Sequence, residues 1–159
     1  MIVTQVSFNH PDSIDLRSQQ RAEIERRYGT PDSEPGPAPT ADDITVFYVA
    51  YDGATAIGCG GLRERDATEA EVKRMFVHPD HRGTGVSVAI LAQLEQFGRE
   101  RGYSRLVLET GTEQPDAVRF YERQGFTRIP NFGYYVGSAH SLCYEKPLQS
   151  DSQGTPNPT

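Results

Sequence analysis

The sequence predicts a fold of the α/β kind, more closely an α+β arrangement in which a mixed, mostly antiparallel sheet of about seven strands is flanked by helices. Three observations predict it. Two strand-like runs, Thr45 to Tyr51 and Thr55 to Leu62, are joined through Asp52-Gly53, a pair that tolerates the positive φ of a tight antiparallel hairpin. Val86, Ile90, Leu94 and Phe97 recur at helical spacing, and Gly102 supplies a left-handed stop. The series as a whole reads strand, helix, three strands, helix, strand, helix, two strands, with no internal repeat.

In chain order, Ile2, Val6 and Phe8 share one side of an alternating first strand. A helix follows, capped by Asp12 or Ser13, carrying Ile24 and Tyr28 on one face and ending at Gly29. Residues 30–43 hold four prolines and few apolar side chains, which predicts a mobile surface loop. Glu71 to Val77 is the next strand after the hairpin, and His78-Pro79 closes it because proline removes a ladder donor. After the long helix, Arg105 to Thr110 is a strand, and Pro115 opens a second helix with Ala117, Phe120, Tyr121 and Gln124 on one face before Gly125. Phe126 to Ile129 and Ser141 to Lys146 close the sheet. One domain over 1–148 is expected, with a disordered polar tail over 149–159.

Composition excludes several classes. No apolar run approaches the roughly 18 residues of a membrane span, and residues 1–8 lack the features of a secretory signal, so a cytoplasmic protein without a membrane partner is expected. With 16 Lys+Arg against 22 Asp+Glu the formal charge is −6, which repels phosphate backbones and argues against nucleic acid. The same field mildly attracts a cationic amine. Cys59 and Cys143 lie inside apolar strands, where cysteine behaves as a small buried hydrophobe. In His78-Pro-Asp-His81 the proline prevents a helical two-histidine face and no third ligand is near, so no metal is expected.

The informative motif is Arg82-Gly83-Thr84-Gly85-Val86-Ser87, set between a strand end and the first turn of the long helix. Its glycines free the backbone, so that several N–H groups converge at a helix N-terminus and bind phosphate without lysine, with Arg82 adding a charged contact. A P-loop is excluded by the absence of Gly-Lys-Ser/Thr. A dinucleotide fingerprint fails because Val88 stands at the third glycine position. Alone, the motif is equally well a plain connecting turn.

The second motif, Gln114-Pro-Asp-Ala-Val-Arg-Phe-Tyr-Glu-Arg-Gln-Gly-Phe126, decides between them. Together the two resemble the GNAT (Gcn5-related N-acetyltransferase) family: Arg/Gln-x-x-Gly-x-Gly/Ala after the fourth strand, then Asn-x-x-Ala-x-x-hydrophobic-Tyr-x-x-x-Gly-Phe. The likeness spans Thr45 to Lys146. Ser87 stands where the family has glycine or alanine, and Gln114 replaces the usual asparagine. The resemblance implies an acyltransferase that uses acetyl-CoA, its pyrophosphate on the 82–87 loop and its pantetheine arm along Met75, Phe76 and Val77. By the same register, Gln114, Ala117, Phe120 and Tyr121 also border the cofactor.

It further implies that the Val77 N–H faces the acetyl oxygen, that Tyr121 protonates the leaving thiolate, and that Glu71, at the start of its strand, is the general base. His140 is an alternative base. Asn131, Phe132, Tyr134 and Tyr135 are candidates for walling an acceptor pocket, and equally for packing. The expected acceptor is a primary amine on a small molecule, acetylated by direct attack in a ternary complex. A protein amine, or a catalytically silent acyl-CoA-binding regulatory module, is the alternative. Relatives often pair, so a homodimer is a candidate assembly.

Overall fold

A computed structural model of the protein describes residues 1–30 and 34–149. Its strands are β1 (Ile2–Gln5), β2 (Val46–Asp52), β3 (Thr55–Asp66), β4 (Glu69–Val77), β5 (Arg105–Gly111), β6 (Thr127–Ile129) and β7 (Ser141–Pro147). The helices are α1 (Pro11–Tyr28), α2 (Val86–Arg101) and α3 (Pro115–Arg123). They form one sheet in the order β1-β2-β3-β4-β5-β7-β6. Every neighbouring pair is antiparallel except β4 and β5, which run parallel.

Both faces of the sheet are covered, which explains why β2 reads as a continuous apolar run rather than an alternating one. Val46, Tyr48 and Ala50 face a cluster with Ile90, Leu91 and Leu94 of α2 and with Tyr121 of α3. Phe47 and Val49 face the other way, joining Phe8, Leu16 of α1, Cys59 and Phe76. Cys59 and Cys143 are free thiols, fully buried. No helix among the described residues is long and apolar enough to cross a membrane.

Several boundaries differ from the sequence expectation. β1 stops at Gln5, because Ser7 and His10 form a turn in which the Ser7 carbonyl accepts from His10 N–H and from the Ser13 hydroxyl. The cap of α1 is therefore His10, whose Nδ1 accepts from Asp12 N–H at 3.0 Å, and neither Asp12 nor Ser13. β3 runs on to Asp66 and β4 begins at Glu69, which makes Glu71 the third residue of its strand rather than the first. Residues 34–43 contain no regular element, but they are tied down: Pro39 is buried and the Glu34 carboxylate meets Lys73 and Tyr135. The remainder of the 30–43 loop, residues 31–33, and the tail expected to be disordered, apart from Gln149, lie outside the described residues.

Two features of β4 shape everything near it. Its pairing with β5 extends over Glu69, Ala70 and Glu71 only, after which the two strands diverge. On its other edge the β3 register shifts between Cys59 and Gly61, a bulge at which Arg74 takes φ 60°, the only positive φ outside glycine among the described residues. Leu94 on α2 is fully buried where helix meets sheet. Leu94→Ala should cost about 2–5 kcal/mol of unfolding free energy in urea titration, the range for a buried leucine truncated to a cavity.

Candidate active site

Where β4 and β5 part, two cavities open side by side. The larger, of about 680 Å³, is lined by Phe76 and Val77 of β4, the 82–88 loop and helix start, and Phe120 of α3. The smaller, of about 490 Å³, runs under α1 to Glu109 of β5 and Ser141 of β7. They share Met75, Gln114, Ala117 and Tyr121, together with Gln20, Ile24 and Arg27 of α1. A molecule threaded along the first cavity would therefore end at the second.

In the larger cavity the chemistry is that of main-chain donors. Gly83 and Gly85 have φ 75° and 89°, left-handed values that disfavour a side chain although a Cβ would meet no atom at either position. The loop delivers α2 with no side-chain cap, and its first intrahelical bond is donated by Ala89 to the Gly85 carbonyl. The N–H groups of Val86, Ser87 and Val88 are thus left facing the cavity mouth, at the positive end of a helix of 16 residues. Val86 itself is buried, so its contribution is backbone.

The other predicted residues of the motif behave differently. Thr84 does not line the cavity; its hydroxyl turns back to the His81 carbonyl. Arg82 does line it, but its Nε donates to the Val77 carbonyl at 2.8 Å and its guanidinium pairs with Glu23 of α1 at 2.6 Å. His78 and His81 stand edge to face, and the His78 Nδ1 accepts from Asp80 N–H. Among the described residues no three His, Cys, Asp or Glu side chains gather as a metal site.

Along β4, strand alternation orients the backbone. His78 N–H donates to Ile57 of β3, so the Val77 N–H turns to the opposite edge, where β5 has already moved away. The Met75 carbonyl receives the side-chain amide of Gln20 at 2.9 Å, so α1 supplies a partner there in place of a strand. Tyr121, on α3, is buried between Phe120 and Phe126 and borders both cavities. Burial pushes its phenol above the ordinary value of 10, so it holds its proton throughout the physiological range.

Glu71 lines neither cavity. It is buried, with Oε1 accepting from Arg63 at 3.2 Å, while Oε2 lies 2.5 Å from the Tyr135 hydroxyl and 3.6 Å from Lys73 Nζ. Tyr135 also lies 2.6 Å from Glu34, and its single proton serves one carboxylate at a time. Lys73 completes this group by pairing with Glu34, whose carboxyl burial would raise but the ammonium holds below its usual range. The aromatic loop before β7 therefore does not wall the smaller cavity. Tyr135 is part of the partly buried polar group, Phe132 meets it edge to face, the two amide protons of Asn131 are shared among the carbonyls of Tyr135, Ser138 and Ser141, and Tyr134 is exposed.

Three acids line the smaller cavity: Glu34, which is engaged by Lys73 and Tyr135, Glu113, which is exposed, and Glu109, which is half-buried. Burial pushes the Glu109 carboxyl up to about 7, against a hydrogen bond donated by the Ser141 hydroxyl at 2.6 Å that lowers it. Sequence reading missed Glu109. The available signal was a single charge at the end of Leu106-Val-Leu-Glu109, inside an otherwise apolar strand. His140 also borders this cavity but is exposed. The Tyr28 hydroxyl is buried there without a hydrogen-bond partner, set against Gly111, where any Cβ would collide with it.

A parallel break in a mixed sheet, a phosphate-sized nest of amides at a helix start, and a half-buried carboxyl at the end of the groove define the frame of an acyl-transfer enzyme. The model of the Acetyltransferase (GNAT) family matches residues 14–126. The chain is 40% identical over 103 residues to an IAA acetyltransferase of Azospirillum brasilense, covering 64% of this chain and 67% of that one. It is 34% identical to the uncharacterized N-acetyltransferase YsnE of Bacillus subtilis, over 65% and 70% of the two chains. A putative acyl-CoA N-acyltransferase of Klebsiella pneumoniae superposes with TM-score 0.79 at 28% identity, covering 93% and 97%. The chain belongs to the GNAT acetyltransferase family and is an acyltransferase.

Glu109 also makes a measurable contribution to stability. Its folded pKa is raised from 4.5 to about 7, so the stabilisation it gives is present below about 4.5 and is lost as pH rises through about 7. In urea titrations at a series of pH values, wild type should lose stability relative to Glu109→Gln across that window. A pH-independent difference would contradict the buried-acid assignment.

Proposed function

We propose that the chain binds acetyl-CoA in the larger cavity and transfers the acetyl group to a primary amine of a small molecule held in the smaller one. The observation that carries this reading is the junction itself: Met75 and Tyr121 border both cavities, so a thioester entering from one side meets a nucleophile entering from the other. The residues present fit the cofactor. The N–H groups of Val86, Ser87 and Val88 suit a pyrophosphate, the open space above Gly83 and Gly85 lets it approach, and the unpaired edge of β4 offers amide partners to a pantetheine arm. Gln114 and Phe120 border the same groove.

Bound there, acetyl-CoA supplies an activated carbonyl carbon. Glu109 takes a proton from the ammonium form of the acceptor, which an amine of pKa near ~10.4 must lose before attack. The nitrogen lone pair then forms the new N–C bond while the Val77 N–H donates to the carbonyl oxygen. As the C–S bond breaks, Tyr121 gives its phenolic proton to the departing sulfur, and the surplus proton on the acylated nitrogen passes to the tyrosinate and restores it. A cavity of about 490 Å³ suits a small acceptor better than a polypeptide. Glu71 acts at one remove, holding Lys73 and Tyr135 beside the acceptor site rather than touching substrate. A cytosolic setting matches this supply of acetyl-CoA.

With acetyl-CoA and a panel of amines, free thiol should appear only when an amine is present; calorimetric CoA binding with no thiol across the panel would favour a silent binding module. Tyr121→Phe should lower kcat by roughly a hundredfold or more with CoA affinity retained. Glu109→Gln should abolish the acidic limb of kcat/KM near pH 7, a limb that Glu71→Gln and His140→Ala should keep. Survival of that limb in Glu109→Gln would remove Glu109 from the mechanism.

A further inference from the structure

The smaller cavity is lined by Arg27, Lys73 and Arg74 as well as by Glu34, Glu109 and Glu113, and its cations are not all paired. Lys73 is accounted for by Glu34 and Glu71. Arg74 is not: it lines this cavity and not the larger one, is half-buried, and makes no side-chain hydrogen bond or ion pair among the described residues. Arg27, at the cavity mouth in the last turn of α1, is likewise without an acidic partner there. The charged groups that face Arg74 are Arg17, which repels it, and Glu34, whose Oε1 is engaged by Lys73 and Tyr135.

The backbone adds a second reason to look for a ligand. A β-bulge at φ 60° is made more readily with glycine or asparagine, since a larger side chain is strained in the left-handed region. Arginine at this position therefore gives up stability while placing an unmatched guanidinium at the wall of the acceptor cavity. A planar fork of N–H donors in a partly desolvated site suits a carboxylate above all.

We propose that the acceptor is an amino acid whose carboxylate pairs with Arg74 while its amine lies at Glu109. This rests on the amine-acetylation reading and names its substrate class. Arg27 adds a second positive charge at the entrance. A zwitterion carries no net charge, so the formal charge of −6 neither attracts nor repels it, and recognition is local.

The test follows thiol release from acetyl-CoA with a panel of amino acids, each paired with its own amide. The best amino acid should exceed its amide in kcat/KM by roughly tenfold to a hundredfold, as for a charged hydrogen bond lost to a neutral partner. Arg74→Asn, which tolerates the left-handed backbone, should bring that ratio down to about one, and Arg74→Lys should restore part of it. Amides used as well as acids, or a ratio indifferent to Arg74→Asn, would overturn the carboxylate pairing and leave amine acetylation standing. No thiol release with any amine, from protein that binds CoA, would overturn both. Should Arg74→Asn fail to fold, Arg74→Lys carries the test: its acid-to-amide ratio should fall below that of wild type, and an unchanged ratio would overturn the pairing.

Discussion

The parting of β4 from β5 after three paired residues governs the rest of the structure. A strand in mid-sheet cannot leave its N–H and C=O groups without partners unless something else supplies them. Here the side chain of Gln20 satisfies one carbonyl and Arg82 another, while the Val77 N–H is turned toward the opening. The break also creates the volume between the strands, and α3 roofs it with Tyr121. Had β5 continued alongside β4, Glu109 would be sealed within the sheet, far from any substrate.

A second constraint is electrostatic. Arg63, Glu71, Lys73, Tyr135 and Glu34 form a partly buried group whose two cations balance its two carboxylates. Buried charge is tolerated because every member has an opposite partner at short range. Glu109 has no such partner. Among the described residues its only side-chain hydrogen bond comes from a neutral hydroxyl, and burial dominates, which raises its carboxyl to about 7. The contrast between matched and unmatched acids separates a structural carboxylate from one able to exchange protons.

Much of this was legible in the sequence. The seven strands, the three helices, and the placement of the glycine motif between β4 and α2 follow from periodicity and turn residues, and the structure reproduces them with small boundary shifts. The shifts have local causes: the cap at His10 depends on an imidazole accepting a hydrogen bond, a role no spacing rule favours over Asp12 or Ser13. The site was less legible. The position of Tyr121 beside the cavities could be anticipated because a helical register carries it, whereas Glu109 comes from a strand distant from both motifs, and its place depends on a cavity that the splayed topology makes. Glu71 was attractive by position, yet its interior pairing with Arg63 and Tyr135 spans 8 and 64 residues, beyond any local pattern. The bulge at Arg74 has no sequence signature, since arginine is a poor candidate for a left-handed residue.

One face of α1, through Gln20, Ile24 and Arg27, walls both cavities at once. A helix shared in this way is a thermodynamic coupler. Whatever displaces it on filling one chamber alters the work of filling the other, and the alteration is equal in both directions. That helix is held at one end by an imidazole cap and at the other by a glycine turn, so a shift of one end is carried to both chambers.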